Sequence, residues 1–205
     1  MKGLDRIVDR IEAELDEKDQ VREVALKSTR AIVRAAGAAI RGMHRGEDVS
    51  KALEDAREET RRLRSLLADH PDLWHGGSVE GALQEVTEAA IVHSLLKDEP
   101  LPTPEDLRVT SAAYLLGLAD GVGELRRFVL DRMRDGEIEA AARYLQLMED
   151  IFDALLRFDH PNAIVPLRHK QDVARGLLER TRGELAVAAH GTALERRLRE
   201  LTKKL

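Results

Sequence analysis

Four carboxylates in two apolar runs are the residues of this sequence best placed to do chemistry. Glu85 and Glu88 are the only formal charges in Gly81–Leu96 (GALQEVTEAAIVHSLL), and Asp120 and Glu124 the only ones in Val109–Leu125 (VTSAAYLLGLADGVGEL), although 35% of the chain is charged. Both runs are too long for buried strands and rich in Ala and Leu, which predicts helices buried among other helices. Residues three or four apart share a helix face, so each pair points one way. Paired carboxylates in a core are costly unless positive charge stands between them. Hard oxygen donors, with no cysteine in the chain, suit Mg²⁺, with Mn²⁺ as the alternative, and not a zinc site. An ion held there would activate a water and neutralise charge on phosphodiester or pyrophosphate oxygens. The competing reading is structural, with buried ion pairs to arginines from elsewhere, such as Arg30 or Arg34.

Arg127 follows Glu124 by three residues on the same face and could hold a phosphate beside the metal; it could equally be an ordinary surface arginine. His93 lies off the Glu85/Glu88 face, and the Glu-x-x-His spacing of di-iron bundles is absent. A hydrogen-bonded core or interface histidine is the simpler reading. No nucleophile elbow, P-loop or dinucleotide fingerprint is present. Gly117, Gly121 and Gly123 read as packing glycines that let a neighbour or substrate come close.

The elements that must position these residues are all helical. The chain has 205 residues, 3% aromatics and few β-branched residues, and its length allows one domain with a sizeable core. Leu4, Ile7, Val8, Ile11 and Leu15 begin an amphipathic stripe that Val21 to Met43 continues, so one long helix should span about 3–45, a hint of an oligomer or an extended bundle. A second helix, capped by Asp48 or Ser50, should reach about Ala68. There Arg57, Arg61, Arg62 and Arg64 face Glu54, Glu58 and Glu59, either as a solvated ion-paired face or as a basic strip along a nucleic-acid backbone. Asp69–Ser78 reads as a loop, with Ser78 capping a helix over 79–97. A proline-rich connection follows at 98–104, then a helix from about 105 to Arg134. Asp135-Gly136 breaks it before a helix over Glu137–Phe158. The last two helices should run from Val165 to Ala189 and from Thr192 to Leu205.

A net charge of -5 counts against a simple nucleic-acid-coating protein but not against an enzyme with a basic groove. The charged start MKGLDRIVDRIEAELDEKD reads as no signal peptide, and no apolar run is long enough to span a membrane. The expectation is a soluble, cytoplasmic protein.

The run from Ala82 to Ala89 (ALQEVTEA) resembles the G-L-Q-E-Y-V-E-A signature of the translin/Trax family. Arg108-Val109-Thr110 and Tyr114 to Leu125 (YLLGLADGVGEL) resemble its second block, R-V-T-x-x-D-Y-L-L-G-V-A-D-L-T-G-E-L. His44-Arg45 and Gly136-Glu137-Ile138 add weaker matches. The resemblance covers roughly 18–184, and the segment 185–205 has no counterpart. Ala113 stands where the family has Asp, and Val86-Thr87 where it has Tyr-Val; neither change removes a proposed ligand.

The resemblance implies a single all-α domain of about six to seven helices that assembles, often as an octamer, around single-stranded RNA, with single-stranded DNA a second candidate. It also implies closeness to the Mg²⁺-dependent endoribonuclease Trax type, whose site carboxylates fall at Glu85, Glu88, Asp120 and Glu124. The chain's compactness suggests a homo-oligomer that both binds and cuts, with no membrane partner. Arg61, Arg64 and Arg127 are the arginines expected to meet nucleic acid. Two other classes remain open. One is a non-catalytic single-stranded RNA- or DNA-binding scaffold; the other is an all-α nucleotide pyrophosphohydrolase, which also pairs E-x-x-E with a second acidic helix.

Overall fold

The computed structural model describes residues 3–203, and every regular element among them is a helix. The order is α1 (Leu4–His44), α2 (Ser50–Leu66), α3 (Pro71–Trp74), α4 (Gly77–Lys97), α5 (Pro104–Leu107), α6 (Ser111–Arg134), α7 (Ile138–Leu155) and α8 (Leu167–Thr202). The expected all-α class holds, and the count of eight exceeds six to seven because α3 and α5 are single turns of four residues. No described helix is long and apolar enough to cross a membrane.

Residue contacts gather into two compact units, one of the chain up to Ala90 with Pro102–Tyr114, the other of Ile91–Leu101 with the chain from Leu115 onward. The first unit is built on α1 and α2, which pack together across the short connection at 45–49. Ala25, Ser28, Thr29, Ile32, Ala36, Ala39 and Met43 form the buried stripe of α1, at the three- and four-residue spacing of one helix face. Ile32 and Leu63 are fully buried, each contributing about 1.5–3 kcal/mol by leaving water. Close approach at the corner depends on Gly42, where an added Cβ would lie 2.6 Å from Val49 Cγ1. Neither Asp48 nor Ser50 is the N-cap of α2; that position is Val49, with no side-chain capping bond, and Asp48 Oδ1, one residue earlier, accepts from the Ser50 N–H at 3.0 Å and the Ser50 hydroxyl at 2.6 Å.

Several boundaries differ from expectation, each for a local reason. The segment read as a loop at 69–78 contains α3, because the His70 carbonyl accepts from the Leu73 and Trp74 N–H groups at 3.1 and 3.0 Å while Trp74 buries its ring. Helix α4 starts at Gly77, so Ser78 lies inside its first turn. The helix expected from Glu105 is broken. Thr103 and Asp106 form a reciprocal cap on α5, and Arg108 then takes a left-handed φ of 57° that ends it. Thr110 restarts the chain as α6, its Oγ1 accepting from the Ala113 N–H at 3.0 Å and donating to Glu80 Oε2 at 2.6 Å.

In the second unit α7 and α8 pack together. Ala141, Met148, Ile151 and Leu155 are buried on one helix, and Leu167, Ala174, Leu178, Thr181 and Leu185 on the other. Gly136, at φ +77°, makes the turn between α6 and α7. The expected break near Gly191 does not occur, and α8 is continuous to Thr202. One interior glycine costs a helix only about 1 kcal/mol, and its Ala-, Leu- and Arg-rich neighbours offset that.

Candidate functional site

Helix α4 carries the first carboxylate pair in the first unit. Val86 and Thr87, between the two glutamates, are buried, and the Thr87 hydroxyl returns to the Leu83 carbonyl at 2.7 Å. That orientation leaves Glu85 and Glu88 together on the half-buried edge of α4. The substitution of Val-Thr for the family's Tyr-Val therefore falls on the packed side of the helix.

Helix α6 carries the second pair in the second unit. Ala119, Val122 and Leu125 are buried around it, while the side chains of Asp120 and Glu124 retain 24% and 13% exposure. Lys170 Nζ, from α8, donates to Asp120 Oδ1. Arg127 Nη1 lies 3.1 Å from Glu124 Oε1, one turn along the same helix. Cations therefore do sit on this pair, but they come from α8 and α6. The arginines first considered, Arg30 and Arg34, are exposed on α1. All four carboxylates have partners in the structure.

Lys170 is the residue that sequence reasoning missed. It lies fifty positions from Asp120 in a helix with many similar charges, and no local pattern marks it. Gly121 and Gly123 also differ from expectation. An added Cβ would meet Val92 Cγ2 at an ordinary 3.6 Å at Gly121 and nothing within 4 Å at Gly123. Within a single chain, then, no close neighbour requires glycine at Gly121 or Gly123.

The donor chemistry suits a hard divalent ion, since every candidate ligand is a carboxylate oxygen and cysteine is absent. Among the described residues no three His, Asp or Glu side chains form a ready metal cluster. Mg²⁺ is commonly held by only one or two protein carboxylates, with water and substrate phosphates completing its shell, so each pair is a unit large enough to test.

The predicted basic strip on α2 divides by role. Arg61 Nη2 pairs with Glu54 Oε1 at 2.7 Å, and Arg62 Nη2 with Glu58 Oε1 at 2.5 Å, which is the solvated ion-paired face. Arg64 differs, its guanidinium stacking 4.5 Å above the buried Trp74 ring. It also lines a cleft of about 480 Å³ with Pro104, Glu105, Arg108 and Val109.

Comparison with known proteins fits this architecture. The translin family model matches residues 16–181. An uncharacterized protein of Methanocaldococcus jannaschii is 33% identical over 190 residues, covering 91% of this chain and 85% of that protein. Among solved structures, AfC3PO in complex with duplex RNA superposes with a TM-score of 0.84 at 31% identity, over 90% of this chain and 97% of that one. AfC3PO in a second crystal structure gives 0.75 at 34% identity over the same shares. The apo-NeC3PO structure shares the fold, with a TM-score of 0.79 at 21% identity over 88% of this chain and 96% of its own. This chain belongs to the translin family.

Proposed function

We propose that this protein is a Mg²⁺-dependent endoribonuclease of the Trax type, acting on single-stranded RNA as a homo-oligomer. The observation that carries the reading is the setting of the carboxylates. Glu85 with Glu88, and Asp120 with Glu124, are half-buried in otherwise uncharged stretches of α4 and α6. In a translin-family chain similar to a protein solved with RNA, hydrolysis of a phosphodiester is the chemistry that best explains them. Mg²⁺, or Mn²⁺, would supply the charge neutralisation and water activation that phosphodiester hydrolysis needs. Glu85 with Glu88, or Asp120 with Glu124, would hold the ion as a pair, and one of the four would accept the proton of the attacking water. Arg127, 65% exposed and tethered to Glu124, would hold a substrate phosphate. Arg61 and Arg64 would add affinity along the RNA backbone, so that binding falls steeply with salt despite the net negative charge.

A second reading has a specific observation in its favour. Lys170 on Asp120 and Arg127 on Glu124 are what a structural role for these carboxylates would require. The protein would then be a non-catalytic RNA-binding scaffold.

One experiment separates them: RNA cleavage with and without Mg²⁺, comparing wild type with Glu88→Gln, both checked for oligomer size. The substrates are single-stranded and duplex RNA, because the similar AfC3PO structure holds a duplex. Mg²⁺-dependent cleavage of single strands, lost in an equally assembled variant, supports the nuclease. Binding without cleavage supports the scaffold. Hydrolysis of nucleoside triphosphates without RNA cleavage would favour the pyrophosphohydrolase class.

A further inference from the structure

Two helical arms expose apolar stripes that nothing in the site uses. In the first unit, every residue of α1 from Leu4 to Glu17 is exposed. Leu4, Ile7, Val8, Ile11 and Leu15 each leave between 42% and 58% of their surface in water. In the second unit, Val187, Leu194, Leu198 and Leu201 of α8 leave between 53% and 74%. Residues 4–15 of the first arm and the whole of the second lie outside the residues the family model matches, 16–181. A helix of this length is marginal in water without a partner for its apolar face.

The spacing states what kind of partner fits. Leu4, Val8, Ile11 and Leu15 alternate steps of four and three, as do Val187, Gly191, Leu194, Leu198 and Leu201. That alternation is the a/d repeat of paired helices. The charges state which helix pairs with which. The α1 arm, 4–17, carries six acidic residues against Arg6 and Arg10. The α8 arm carries Arg196, Arg197, Arg199 and Lys203 against Glu195 and Glu200. Beside the apolar seam, α1 presents Asp5, Glu12 and Glu14, and α8 presents His190, Glu195 and Arg197, so the contrast between the arms lies in their overall charge. Pairing either arm with its own kind brings together arms of like overall charge, whereas pairing one with the other brings together an acidic and a basic arm.

We infer that the α1 arm of one copy packs against the α8 arm of a second copy in a heptad-spaced seam. The inference deepens the assembly part of the proposed function and is independent of its nuclease part. Each copy brings one acidic and one basic arm, so the contact is heterologous and joins copies head to tail.

The test uses the full chain, with mass in solution read by light scattering and helicity by circular dichroism. Ile11→Asp and Leu198→Asp should each lower the assembly mass while helicity is retained. Arg197→Glu should lower it as well, and adding Glu12→Arg and Glu14→Arg to that chain should restore it. Because the protein has no cysteine, Ile11→Cys and Leu198→Cys copies can be mixed with a flexible bismaleimide. A cross-linked dimer should form in the mixture and in neither variant alone. Self-cross-linking of either variant, no cross-link in the mixture, or an unchanged mass in both Asp variants overturns the seam. A monomeric wild type overturns the seam and the assembly reading together, leaving RNA cleavage as a separate result.

Discussion

Lys170 of α8 donates to the carboxylate of Asp120 on α6, and both side chains are less than one-third exposed. The pair is neither a solvated surface contact nor a sealed core pair. Lys170→Met should therefore cost about 1–3 kcal/mol in denaturant unfolding, between the values for exposed and buried pairs. The same variant should increase the thermal stabilisation by Mg²⁺, because it removes a cation that competes for Asp120. A shift in melting temperature that ignores Mg²⁺ in both proteins would place Asp120 outside any metal site.

Arg127 offers a sharper separation of structure from function. Its pair with Glu124 is largely in water on the arginine side, so Arg127→Ala should change stability by less than about 1 kcal/mol. Loss of a charged hydrogen bond to substrate phosphate should instead slow cleavage roughly 10- to 100-fold. Unchanged kinetics would return Arg127 to the ordinary surface.

Arg64 and Arg61 sit near each other on α2 but differ in what holds them. With its side chain spread over Trp74, Arg64 is pre-positioned, whereas Arg61 is engaged by Glu54. Arg64→Ala should lower the slope of log affinity against log salt by about 0.7, one phosphate contact on a single strand. Arg61→Ala should lower it less. Equal slopes for both variants and wild type would remove α2 from the RNA surface.

Gly42 tests the α1–α2 corner without touching any site residue. Because its Cβ would collide with Val49, Gly42→Ala should destabilise by about 1–3 kcal/mol through overpacking. The higher helix propensity of alanine would offset about 1 kcal/mol of that cost. A stabilised variant would show that Val49 can move aside.

The reciprocal cap on α5 should be visible in pH dependence. The Thr103 N–H and hydroxyl hold the Asp106 carboxyl below its ordinary value. A lowered folded pKa stabilises above the ordinary aspartate value of about 3.9, and that contribution is lost as pH falls through the lowered one. The stability deficit of Thr103→Ala should therefore be present at neutral pH and shrink in acid. A deficit independent of pH would mean that the carboxylate bonds do not contribute.

Helix existence was legible in the residues wherever an apolar period ran long enough. The α1 stripe from Leu4 to Met43 passes without Gly or Pro through the charged run at 16–19, and α1 is indeed one helix of 41 residues. The carboxylate pairs were legible for the complementary reason. A charge is conspicuous in an apolar run, and helical spacing alone puts Glu85 with Glu88 and Asp120 with Glu124 on common faces. Boundaries decided by single backbone conformations were not legible. The left-handed Arg108 and the burial of Trp74 depend on what each segment packs against. The identity of the cations was hidden as well, because Lys170 meets Asp120 only once α6 and α8 lie together. Sequence alone thus determined the helices, their apolar faces and the family, all of which are written in local period and motif. Tertiary structure decided where helices break, which charges pair and which stripes stay in water, because those depend on neighbours far away in the chain.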